Sequence, residues 1–176
     1  MRVFIVGIVI GVLVLMLCAY AYFRFGFAPV ATSAAPMPFE RKMASLALHA
    51  RERAEAPKNV PMQPDEPNLT EGARVYVANC AFCHGLPNHA PTAAAKGMFP
   101  DPPQLFSPDG MVTDDPVGVT YWKVDNGIRM TGMPGFSKLL SSNQMWQVSL
   151  LLSKADKLPD QTKAVLAVAS PTWEQK

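Results

Sequence analysis

Cysteine and histidine are scarce in this 176-residue chain, with three of each. Three cysteines cannot build a disulfide-dense secreted scaffold, nor the two cysteine pairs common in structural zinc sites. Charge of one sign is also scarce: 16 basic residues face 14 acidic ones, for a net +2. So small an excess does not make nucleic acid a default partner. No strand–helix–strand alternation is visible, which removes the usual setting of a thioredoxin-like cysteine pair. Proline, by contrast, is abundant. Seventeen prolines are roughly twice the usual share of about 5%, and they must sit in linkers and irregular loops. The length suits one domain of ordinary size with additions.

The chain divides into four parts. Residues 1–27 contain the run Val3–Phe23, apolar or aromatic throughout except for Gly7 and Gly11. As a helix it would be about 31 Å long at ~1.5 Å per residue, matching the ~30 Å hydrocarbon core of a bilayer. A single-pass anchor is the expectation. The alternative is a signal peptide cleaved near Ala19-Tyr20-Ala21. Lipid attachment at Cys18 is disfavoured by the large Leu17 before it. Arg2 and Arg24 flank the run, so charge leaves its orientation open. Residues 28–67 hold seven prolines and read as a semi-rigid spacer. Within it Met43, Leu46, Ala47, Ala50 and Ala54 recur at helical spacing among charged residues, which predicts a short amphipathic helix. That helix would either dock on the domain, a partner or lipid, or act as a plain spacer, with His49 solvated on its surface.

Residues 68–159 carry the chemistry. A helix is predicted from about Leu69 to Asn79, started by Asn68 and Glu71. It leads into Cys80-Ala81-Phe82-Cys83-His84. This C-x-x-C-H pattern is the attachment signature of c-type haem: two thiols three residues apart can bond to the two vinyl groups, and His84 can turn its imidazole to the iron. His89 could in principle join these three side chains around zinc, but four ligands would crowd one turn. The second axial ligand is sought in Asn126–Phe136, where Gly132, Pro134 and Gly135 make a loop able to approach a flat cofactor. Thioether sulfur suits haem iron and raises its potential, so Met133 is the expected ligand and Met130 its competitor. Ser141 and Gln144 form a capping-box pattern that opens a helix to about Lys154. Gly72 would let that helix cross the first closely beside Tyr76. Residues 160–176 are expected as a tail.

These pieces, in this order, resemble the class I-like cytochrome c family over residues 68–159, most closely its membrane-tethered monohaem members and the cytochrome domains of oxidase and alcohol dehydrogenase complexes. Gly72–Tyr76, Gly127–Phe136, Trp146 and Leu158-Pro159 carry the resemblance beyond the haem motif. It implies an all-α cytochrome c fold wrapped on one covalent haem c, with Cys80 and Cys83 as attachment points and His84 and Met133 as axial iron ligands. Such haem attachment occurs outside the cytoplasm. The expected protein is therefore a single-pass bacterial inner-membrane cytochrome with its haem domain in the periplasm. It is a non-enzymatic carrier of single electrons between redox proteins: an oxidase, a dehydrogenase or another cytochrome. A fixed subunit of such a complex is the alternative, and a haem gas sensor or peroxidase a further one. No separate acid–base or arginine–histidine constellation supports the last. Tyr121, Trp122 and Arg129 are candidate partners of the haem propionates. A carbonyl in Leu86–Pro91 is expected to hold the second nitrogen of His84. The proline-rich loop Gly97–Leu105 has no role assigned to it beyond a candidate cover for one haem edge. Finally, residues 1–67 hold the whole basic excess, so the domain is formally neutral. Without its anchor the chain is slightly poor in apolar residues, a deficit that a covalent haem would fill.

Overall fold

A computed structural model of the chain describes residues 1–168. Among the described residues all regular structure is helical: α1 (Arg2–Arg24), α2 (Glu40–Glu55), α3 (Glu66–Asn79), α4 (Ala81–His84), α5 (Ala93–Lys96), α6 (Val117–Asn126), α7 (Ser142–Ser153) and α8 (Asp160–Val168). The chain forms two compact units, one ending at Met43 and the other beginning at Ala44. In the first, α1 buries no residue and is long and apolar enough to cross a membrane.

The second unit is built on the crossing of α3 and α7. α3 starts at Asp65, whose carboxylate accepts from the Asn68 backbone N–H at 3.0 Å. The cap is thus Asp65, not Asn68, and Pro67 falls in the first turn, where its missing N–H costs nothing. α7 opens with the expected reciprocal box: Ser141 accepts from the Gln144 N–H, and the Gln144 side chain accepts from the Ser141 N–H. Seven of its twelve residues are buried, more than one face, because α3 and α6 both pack on it. A Cβ on Gly72 would collide with the Gln147 carbonyl, so the close crossing needs glycine at that position. Tyr121 on α6 stacks on Trp146 of α7, centroids 4.1 Å apart.

The segment expected as a tail contributes to this core as far as it is described. α8 packs on α3. Leu166 is buried among the core residues, and the Thr70 and Thr162 hydroxyls, both buried, hydrogen-bond at 3.0 Å. Residues 169–176 of that expected tail lie outside the described residues.

α2 also differs from expectation. Its stripe of Met43, Leu46, Ala47, Ala50 and Ala54 is exposed, while Glu52 on another face is buried. Glu52 accepts from His49 at 2.9 Å and lies 3.4 Å from the Lys123 ammonium on α6. The Trp122 indole N–H donates to Glu55 at 3.1 Å, and Pro57 meets Gly118 so closely that a Cβ at 118 would strike its carbonyl. Polar groups, invisible to a hydrophobic-periodicity reading, thus choose the face that docks. His49 is paired, not simply solvated.

Candidate functional site

Cys80 ends α3, and the chain makes one further helical turn to His84, whose N–H donates to the Cys80 carbonyl at 2.9 Å. Both cysteines are free of disulfides. Burial, and secondarily the neighbouring Cys83, pushes the Cys80 thiol up to about 12, and burial also raises Cys83. A redox-exchange cysteine needs the opposite, a lowered pKa that exposes thiolate. Among the described residues no cluster of three or more His, Cys, Asp or Glu side chains could hold a metal ion. His89 is exposed, with its ring bonded to the Pro87 carbonyl. The zinc and thioredoxin-like alternatives therefore find no structural support.

His84 is held from three directions. Its Nδ1–H donates to the Pro103 carbonyl at 2.8 Å, which leaves Nε2 with the lone pair and fixes the ring. Burial lowers its pKa, partly opposed by that same hydrogen bond. The peptide behind it is pinned as well. The Tyr76 hydroxyl reaches the His84 and Gly85 carbonyls at 3.1 and 2.7 Å, and the Leu105 N–H donates to the His84 carbonyl at 3.1 Å. Gln104 donates to the Cys83 carbonyl at 3.1 Å. Gly85 has φ +74° beside the flexible end of the Gln104 side chain, and that left-handed backbone favours glycine after the histidine. The orienting carbonyl comes from Pro103, not from Leu86–Pro91 as expected. The proline-rich loop thereby gains a role, since it carries Pro103 to His84 and walls the site.

The methionine loop is closed at its neck. Gly127, at φ +69°, lies against Met133–Gly135, and Gly135 lies against Asp125 and Asn126, each with no room for a Cβ. Ile128 N–H donates to the Met133 carbonyl at 3.2 Å. Thr131 accepts from the Met133 N–H at 3.1 Å and donates to the Ile128 carbonyl at 2.7 Å. Met130 has φ +62° and is 92% exposed, so the structure turns it away from the site.

Cys80, Cys83, His84 and Met133 line one apolar cleft of about 240 Å³, together with Val124, Ile128, Phe136 and Leu152. Pro100, Pro102, Pro103 and Met98 of the proline-rich loop form another part of its wall, and Leu48 of α2 joins it too. Met98 was not anticipated. Its sulfur lies against Gly132, 3.1 Å from where a Cβ would be. Tyr121, Trp122 and Arg129 do not line the cleft. Tyr121 bonds to Ser142 at 3.2 Å, Trp122 to Glu55, and Arg129 is exposed.

Residues 67–150 match the family model described as cytochrome C oxidase, cbb3-type, subunit III. This stretch is a c-type cytochrome domain of the class I-like family. No curated protein matches the chain. Membership in this family implies covalently bound haem c, and the residues present fit that group: two unpaired cysteines on one turn, an oriented imidazole, a thioether and an apolar wall about one cleft. The cytochrome domain match starts at Pro67 and ends at Leu150, so Leu48 is a cleft residue supplied from outside the matched region.

Proposed function

We propose that the chain is a membrane-anchored c-type cytochrome. It would carry single electrons between redox proteins on the outer side of a bacterial inner membrane, through one haem held by Cys80 and Cys83 with His84 and Met133 as axial ligands. The observation that carries this reading is the convergence of those four side chains on one apolar cleft, with His84 Nδ1 bonded to Pro103. When bound, the haem supplies reversible one-electron chemistry. The chain's part is to fix the imidazole, close the methionine loop with Thr131, and exclude water with Val124, Phe136 and Leu152. Ligation by methionine and an apolar wall both raise the reduction potential.

With both His84 and Met133 holding the iron, no position would remain for a substrate, which favours a carrier over a gas sensor or peroxidase. The test is the reduced protein under carbon monoxide. An unchanged visible spectrum supports the carrier, and rapid stoichiometric binding supports the sensor. A second reading, a fixed subunit of an oxidase, is favoured by the matched family model, whose description is of an oxidase subunit. Stoichiometric recovery of an oxidase after mild detergent extraction would establish it. Recovery of the cytochrome alone would leave a tethered shuttle.

A further inference from the structure

The docked and exposed faces of α2 are nearly opposite. Leu48, Glu52 and Glu55 lie on the side that meets the cleft and α6. Met43, Leu46, Ala47, Ala50 and Ala54 share the other side in helical register, with Met43 64% and Leu46 55% exposed. Helix register puts Lys42 and Arg53 along one border of this stripe and Arg51 along the other, after Glu40 in the first turn. Arg51 pairs with Glu55 at 2.7 Å. Long cationic side chains flanking an apolar strip are suited to a lipid surface. The strip enters the headgroup–acyl boundary, the aliphatic stems lie along it, and the charges stay among anionic headgroups. Fifteen residues, 25–39, join α1 to α2, and a chain of that length spans at most about 50 Å when stretched. An anchored α1 therefore keeps α2 within reach of the bilayer.

We propose that α2 is an interfacial helix, lying with its Met43–Leu46–Ala50 stripe on the anionic surface of the membrane that α1 enters, while its Glu52–Glu55 side grips the cytochrome domain. The proposal rests on α1 as an anchor. It explains why the helix holds the domain through polar groups and leaves its apolar stripe uncovered.

The test uses the full haem-loaded chain in phosphatidylglycerol nanodiscs, in a Cys18→Ser background, with a nitroxide label at Leu46→Cys, Lys157→Cys or Leu13→Cys. Collisions with oxygen, which concentrates in lipid, are compared with those of a water-soluble nickel chelate. The expected oxygen-to-nickel ratio at position 46 is several-fold above that at 157 and approaches that at 13. A lipid-like ratio at 13 with a water-like ratio at 46 overturns the interfacial helix alone. Water-like ratios at both positions overturn the anchor as well. A label at 46 shielded from both reagents overturns the proposal in favour of a second copy of the chain covering the stripe.

Discussion

At the residue scale, the site depends on single polar groups that hold backbone in place. The Tyr76 hydroxyl bonds to the two carbonyls directly after the haem-motif cysteines, and its ring packs edge-on against Phe106, centroids 5.1 Å apart. Tyr76→Phe keeps the ring and removes the donor; the His84 carbonyl keeps the Leu105 N–H, while the buried Gly85 carbonyl loses the Tyr76 hydroxyl. The expected loss is about 1–3 kcal/mol, read as a shift in the denaturant midpoint of the haem-loaded protein at unchanged slope. Glu52 behaves differently. It is 5% exposed, yet its Oε1 makes no hydrogen bond among the described residues, although that oxygen lies within ion-pair distance of Lys123. The 3.4 Å separation is electrostatic contact without good hydrogen-bond geometry, so Lys123 acts on Glu52 chiefly as a charge. Lys123→Met should therefore cost about 1–3 kcal/mol by taking a cation from a buried carboxylate that His49 also contacts. Adding Glu52→Gln should recover part of that loss. A double mutant as unstable as the sum of the singles would refute the coupling.

At the element scale, glycines set how closely helices and loops approach. Gly72→Ala puts a methyl group into the Gln147 backbone and must separate α3 from α7, at a cost of about 1–3 kcal/mol. Gly97→Ala is the matched control. Its Cβ would sit 3.6 Å from the nearest atoms, with φ −93°, so thermal unfolding should be nearly unchanged. A Gly72→Ala protein as stable as the parent would contradict the crossing. Elements specified by neighbours in sequence were legible in the amino-acid order: the C-x-x-C-H turn, the Ser141–Gln144 box, the glycine-bounded methionine loop. Features that depend on a distant return of the chain were not. Pro103 reaches His84 across 19 residues, and Glu55 reaches Trp122 across 67. No local pattern encodes such distances. Asn68 satisfied a capping pattern as well as Asp65 did, and the side-chain bond to the Asn68 N–H decided between them.

For the whole molecule, the useful quantity is where charge lies. Residues 68–176 hold nine basic and nine acidic side chains, and the excess belongs to residues 1–67. Association steered by a strong net field accelerates steeply at low salt. This domain should show a weak dependence instead. Its reduction rate by a soluble redox protein should change less than about tenfold between low and physiological ionic strength. A much steeper slope would reveal a local charged patch that net charge conceals. The same neutrality fits a protein kept near its partners by a tether.

The electron-carrier reading turns on one haem with Met133 as its sixth ligand, and the visible spectrum of the oxidised protein reports that bond. The parent and Met130→Ala should both show the long-wavelength methionine-to-iron charge-transfer band, and Met133→Ala should lack it. A band that survives Met133→Ala and vanishes in Met98→Ala would contradict the assignment and give the iron to the other methionine of the cleft.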